Sequence, residues 1–292
     1  MPEKIFLNDK LINTDKAAIS TRDTGFLYGS GLFETMRCNQ GKVFCLNDHL
    51  DRLLDSAKKL SIDINYDREY ITDAIYSVLS ANKLDDARVR LTITPGPVPG
   101  PVSEADEAEQ TRQCTILIAC ARFQPYPKQY YDKGIMVVLS PYRQNPYDPV
   151  CGHKTTSCFS RMLALELAHR HRAAEALWFT TDNRLAEGCI SNVFLVRDSK
   201  LLTPRAETPV LAGIARKNIF ELTQQDSIEL QETDLTINDL LAADEVFLTN
   251  VIMQVMPVVA VEKHTVGNGK PGPITKKLHK AFLQLLDQES KP

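Results

Sequence analysis

Long apolar runs are missing from this chain, and so is any excess of positive charge. No stretch approaches the ~20 apolar residues that a membrane-spanning helix needs, and the opening MPEKIFLNDK is polar and alternating, without the apolar segment of a secretory leader. A cytoplasmic location is therefore expected. The formal net charge of −3 excludes the strongly basic surface that nucleic acids and anionic membranes select. The expected ligand is small, with neither nucleic acid nor membrane as a partner. The 7 cysteines are odd in number and form no CxxC pair, so reduced thiols are expected in place of a disulfide framework or a metal site. Cys151 and Cys158 flank Lys154, but the sequence places no base beside them.

What is present fits an ordinary globular protein. With 292 residues and 43% hydrophobic content, the chain exceeds the usual single domain, and two domains of roughly 120 to 160 residues are expected. Alternating runs predict strands at 4–8, 11–14, 31–38, 42–45, 88–94 and 114–123. Helical spacing of Leu50, Leu53, Leu54, Ala57 and Leu60 predicts a helix capped by Asn47, and Ile71, Ile75, Val78 and Leu79 predict a second capped by Asp67. The proline-, glycine- and acid-rich stretch 95–113 reads as a loop. FQPYPKQYYDKG at 123–134 reads as a linker, which gives an N-terminal domain at 1–122 and a larger, strand-rich domain with helices at 135–292. In the second domain, strands are predicted at 135–140, 175–181, 190–196, 245–249 and 255–261. Helices are predicted at 160–172, from Gly213, at 236–243 and after Pro273, a residue that suits a helix start. The fold class is α+β.

Two stretches carry chemistry. Lys154 lies in GHKTTS between small and hydroxyl residues, and a lysine so placed is able to carry a Schiff base. Glu187 lies in LAEGCISNVFLV, a lone carboxylate at the mouth of an apolar strand, where it is able to hold a protonated ring nitrogen. Alone, Lys154 is equally a solvated surface lysine and Glu187 a turn-side glutamate.

Order resolves more than any one stretch. YGSGLFETMR, HLDRL, HKTTS, LAEGCISNVFLV with LLTPR, VLAGIARKNI and ADEVFLTNVIMQVMPV follow one another from about Asp23 to Val258. In this order they resemble the class IV aminotransferases, the fold-type IV pyridoxal 5'-phosphate (PLP) enzymes that include branched-chain and D-amino acid aminotransferases and aminodeoxychorismate lyases. The resemblance implies PLP as cofactor, a two-domain fold, a homodimer, and Lys154 as the Schiff-base lysine that also moves the Cα proton. Glu187 is implied to pair with the pyridinium nitrogen, and Arg52 to bind phosphate through its forked donors. Gly213, Ile214 and Ala215, opening a helix, are implied to complete the phosphate site. Ala215 stands where the family often has threonine, and Thr249 or Asn250 would then cover that side. Ser191 and Asn192 are implied to line the cofactor edge and Leu211 the ring face, although Leu211 also reads as plain core.

For substrate, the resemblance points to Tyr28, Phe33 and Arg37, with Phe33 where relatives carry tyrosine. Arg90 matches a strand arginine that some relatives aim at the site, and Arg88 shares its face by alternation. Any of these arginines is chemically able to bind a carboxylate bidentately. The implied reaction is amino transfer between an amino acid, branched-chain-like or similar, and a 2-oxo acid. The finer signals conflict: Thr155-Thr156-Ser157 replaces the GNY-type stretch of branched-chain enzymes, Pro95 precedes Gly96 where D-amino acid and lyase relatives often carry arginine, and against that VIMQVMPV resembles the lyase loop. Aminodeoxychorismate lyase is therefore the alternative activity, and a non-catalytic relative the alternative from another class.

Overall fold

Alternation and helical spacing translate into a mixed fold in which two sheets each carry their own helices. The computed structural model describes residues 3–98 and 113–290, and statements about elements refer to these. Most of the stretch expected as a loop, 99–112, lies outside the described residues. The chain divides into two compact units, one of residues 1–123, 153–157 and 289–292, the other of 124–152 and 158–288.

The first unit is built on a sheet of β1 (Lys4–Leu7), β2 (Lys10–Asn13), β3 (Leu32–Asn39), β4 (Lys42–Val43), β5 (Ala87–Thr94) and β6 (Thr115–Arg122), in the order β2-β1-β6-β5-β3-β4. Its helices are α1 (Thr24–Tyr28), α2 (Leu46–Lys59) and α3 (Arg68–Asn82). Period-two alternation sends Leu32, Met36, Val89, Leu91, Ile93, Ile116 and Ile118 to one face, where they bury against Leu50, Leu53 and Ala57 of α2 and Ile71, Ile75 and Val78 of α3. Each such side chain contributes about 1.5–3 kcal/mol by leaving water. Asp67 caps α3 as expected, accepting from the Tyr70 N–H at 2.8 Å. Asn47 does not cap α2. The chain reverses between β4 and α2 through Cys45 at φ 49°, which takes the cap position and leaves Asn47 within the first turn.

The second unit contains β7 (Ile135–Gln144), β8 (Glu175–Thr180), β9 (Leu185–Gly188), β10 (Asn192–Arg197), β11 (Lys200–Pro204), β12 (Leu230–Thr233), β13 (Glu245–Asn250), β14 (Gln254–Val261) and β15 (His264–Thr265). Its helices are α4 (Lys128–Lys133), α5 (Phe159–Arg170), α6 (Ile214–Gln225), α7 (Ile237–Leu241) and α8 (Pro273–Glu289). The sheet order is β12-β11-β10-β13-β14-β7-β8-β9, with β15 on β14. Strands β8 and β10 are buried nearly end to end on both faces, which is why they read as continuous apolar runs. Residues 124–133, expected as a linker, instead form part of this unit. Tyr126, Tyr130 and Tyr131 pack on its core, and the Tyr131 hydroxyl donates to the Met253 carbonyl at 3.2 Å. No helix among the described residues is long and apolar enough to cross a membrane.

Candidate active site

Residues 153–157 follow β7 in sequence yet lie on the first unit's sheet. The Phe33 N–H donates to the Lys154 carbonyl at 2.9 Å, the Thr156 N–H donates to the Gly31 carbonyl at 2.8 Å, and Leu32 bridges Thr155. The YGSG motif makes this approach possible. Gly29 ends α1 at φ 68°, and a Cβ on Gly31 would come within 2.9 Å of the Ile93 carbonyl oxygen. Lys154 Nζ consequently lies 4.6 Å from the centre of the Phe33 ring. The Arg90 guanidinium covers the same ring at 3.4 Å, and its Nε donates to Thr92 Oγ1 at 3.3 Å. An amine and a guanidinium thus meet at one aromatic ring.

On α2, His49, Arg52 and Ser56 recur at helical spacing and form a polar stripe beside the apolar one. They face Glu34, which alternation places in the core layer between Leu32 and Met36 at 0% exposure. Arg52 grips its carboxylate through Nε at 2.8 Å and Nη2 at 2.6 Å, and His49 Nδ1 lies 2.7 Å from Oε2. Burial alone would raise the Glu34 carboxyl. The Arg52 charge, with hydrogen bonds from His49 and Arg52, overcomes it and holds the group at about 2. Burial lowers the His49 imidazole, so it tends to neutrality. Ser56 Oγ meets His153 Nδ1 at 2.9 Å, which fixes the residue before the lysine. The Arg52 charge is therefore compensated by Glu34 within the protein.

Arg37 corrects an expectation. Its guanidinium donates to the Cys38 carbonyl, reaches Asp86 Oδ1 at 2.7 Å and lies 3.7 Å over the Phe123 ring. It is 5% exposed, and four strand residues from Phe33 place it about 13 Å along β3. Its place is structural. Arg88 is exposed on the Arg90 face of β5, and Tyr28 is exposed as the last residue of α1.

The second unit arranges the carboxylate. Glu187 is buried at the end of β9, where Oε1 accepts from Arg161 Nη2 at 2.6 Å and Oε2 accepts from the Leu211 N–H at 3.0 Å and Asn192 Nδ2 at 3.5 Å. Leu211 thus acts through its backbone, and its carbonyl accepts from Asn192 Nδ2 at 2.9 Å. The turn that follows is held by Glu175, fully buried at the start of β8. It accepts from the Cys189 N–H at 3.0 Å, the Ile190 N–H at 3.3 Å and the Ser191 hydroxyl at 3.1 Å. With only neutral donors around it, burial pushes the Glu175 carboxyl up. The Ser191 hydroxyl therefore braces the turn.

The start of α6 lies in the same unit. Gly213 precedes α6 without a side-chain cap, and no acidic residue stands in the first turn, whose N–H groups lack intrahelical acceptors. A Cβ on Gly213 would lie 2.0 Å from Asn192 Oδ1, and Asn192 is in register with Thr249. Thr249 Oγ1 is buried with no hydrogen-bond partner among the described residues. An uncapped helix start beside an orphaned hydroxyl fits an anionic group. Asn250 is otherwise engaged: Nδ2 donates to the Ile190 carbonyl at 2.9 Å, and Oδ1 accepts from the N–H groups of Ile252 and Met253.

Sequence reasoning missed four residues: Glu34, His49, Arg161 and Glu175. His49 sits one helical step from Arg52, and Glu175 is the lone acid opening the apolar run EALWF, so each left a trace. Arg161 left none.

Known proteins resemble the chain in sequence and fold. The family model for amino-transferase class IV matches residues 31–261. A putative branched-chain-amino-acid aminotransferase of Methanocaldococcus jannaschii is 34% identical, with 97% of this chain and 96% of that protein covered. A D-alanine aminotransferase of Listeria monocytogenes is 30% identical over 98% of this chain and 96% of its own length. The crystal structure of the Escherichia coli branched-chain amino acid aminotransferase superposes with a TM-score of 0.91 at 28% identity, covering 100% of this chain and 97% of that one. The chain belongs to the class IV aminotransferases.

Proposed function

We propose that the protein transfers an amino group between a branched-chain-like amino acid and a 2-oxo acid, using PLP held covalently by Lys154. The observation that carries this reading is the shared ring of Phe33, with the Lys154 amine on it at 4.6 Å and the Arg90 guanidinium at 3.4 Å. Bound PLP supplies an aldehyde for the amino group and a ring that draws electrons from Cα. Lys154 provides the attacking amine and then carries the Cα proton. Arg90, oriented by Thr92, binds the substrate carboxylate; Arg88 on the same face assists with charge. Phe33, lacking the hydroxyl of a tyrosine, presents an apolar wall to an aliphatic side chain. Glu187 meets the ring nitrogen. Thr249, the α6 start at Gly213–Ile214–Ala215, and Arg52 hold the phosphate, with the Arg52 charge shared by Glu34. A cytoplasmic homodimer belongs to the same reading, and light scattering of purified protein checks the dimer.

The test is direct. Purified protein is expected to be yellow and to form glutamate from 2-oxoglutarate with L-valine, L-leucine or L-isoleucine, and Lys154→Ala is expected to lose both the visible band and turnover. Turnover of D-alanine in place of the L-amino acids would reassign the donor. The lyase alternative rests on VIMQVMPV (251–258); release of pyruvate and 4-aminobenzoate from aminodeoxychorismate, without transamination, would replace the proposal with it. A colourless protein that takes up no PLP would leave a non-catalytic relative.

A further inference from the structure

Arg161 makes the shortest contact to the Glu187 carboxylate. It stands in the first turn of α5, and its guanidinium reaches three acceptors: Glu187 Oε1 at 2.6 Å, Gln144 Oε1 at 3.1 Å and the Gly188 carbonyl at 2.9 Å. The Trp178 ring lies 5.4 Å from it. Contacts to β7 and β9 together fix its plane. Burial opposes its charge, and the Glu187 carboxylate more than offsets this, raising the guanidinium above its usual range.

Glu187 is correspondingly committed. A carboxylate offers about four lone-pair positions; Arg161 takes one, the Leu211 N–H another and Asn192 Nδ2, more distantly, a third. Its charge is also matched by a guanidinium in a region where Glu187 is 4% exposed and water screens little. A ring N–H that approaches this carboxylate finds one position left and a negative charge already half satisfied.

We propose that Arg161 is a positioning residue that shares Glu187 with the ring nitrogen of bound PLP and so limits how fully that nitrogen is protonated. This rests on the reading that Glu187 meets the ring nitrogen. A less protonated ring withdraws electrons from Cα less strongly. The Cα carbanion is then shorter-lived, which weighs most against eliminations that need a long-lived one.

The experiment loads the holoenzyme with PLP carrying ¹⁵N in the ring and records its ¹⁵N NMR signal in wild type, Arg161→Gln, Arg161→Lys and Glu187→Gln. Arg161→Gln is expected to shift the signal toward the pyridinium position, Arg161→Lys to stay near wild type, and Glu187→Gln to shift toward neutral pyridine. A signal that moves in Glu187→Gln but not in Arg161→Gln overturns the sharing while leaving the Glu187 reading intact. No movement in any variant removes the Glu187 reading itself. If Arg161→Gln fails to fold, the wild-type signal decides: a position at full pyridinium, unchanged in Arg161→Lys, overturns the proposal.

Discussion

Glu34 and Glu175 are both buried carboxylates, one in each unit, and they are driven in opposite directions. Glu34 faces the cation of Arg52 and the imidazole of His49 and is held at about 2. Glu175 faces backbone N–H groups and one hydroxyl and is pushed up. Desolvation acts on both; at Glu34 the Arg52 charge, with hydrogen bonds from His49 and Arg52, reverses it, whereas at Glu175 neutral donors do not. Burial depth therefore says little about whether a carboxylate is ionised, and the charge of its partners says much. The first is a pair that must stay charged, the second a brace that works equally well neutral.

The largest expected effect that could break this comparison is in Glu34→Ala, which leaves Arg52 and His49 buried without their anion and should cost about 3–5 kcal/mol in urea unfolding. A loss near 1 kcal/mol would mean that water or rearrangement replaces the carboxylate. Next is pH. The folded Glu34 value of about 2 lies below its ordinary 4.5, so its stabilisation is present above pH 4.5 and is lost as pH falls toward 2, by roughly 3 kcal/mol. Glu34→Gln should flatten that acid limb in chemical denaturation followed across the window.

Glu175 should show the opposite sign. Its folded value is raised, so its favourable state is fully present below the ordinary value and weakens as pH rises. Glu175→Gln resembles the neutral form, should cost only about 1 kcal/mol for the altered hydrogen bonds, and should remove the loss on raising pH. Equal costs for Glu34→Gln and Glu175→Gln would sink the distinction between a charged pair and a neutral brace. At the small end, Asp67 is an exposed carboxylate that accepts one N–H, and Asp67→Ala should lower the unfolding midpoint by the equivalent of about 0.5–1 kcal/mol.

Much of this was legible where a local rule suffices. The alternation in β3, β5 and β6, the helical spacing of α2 and α3 and the Asp67 cap are all local, and the structure shows them. Helix α1 and strand β9 are too short to carry a period, and α4 hides in a proline- and tyrosine-rich stretch that buries its rings instead of linking domains. Lys154, Glu187 and Thr249 entered through the order of the motifs, because roles depend on partners distant in sequence. Arg37 shows the limit of that route: alternation gave its face, but Asp86 and Phe123, brought beside it by the β3–β5 pairing, decided its role. Glu175 left only the trace of a lone acid opening an apolar run, and Arg161 became visible only in the fold, since nothing local distinguishes a guanidinium that finds Glu187 from one on a solvated helix.

The backbone pairing of residues 153–157 with β3 carries a consequence for inheritance and for protein engineering. Lys154 is encoded within one half of the gene but seated by the other, so neither half can drift independently at this point. A chimera of two family members joined at 123/124 would bring the lysine peptide of one parent against the Gly31–Phe33 edge of the other. Exchange of either half succeeds only where five residues of one lineage still match a strand of another, which makes the 153–157 segment a compatibility tag between modules.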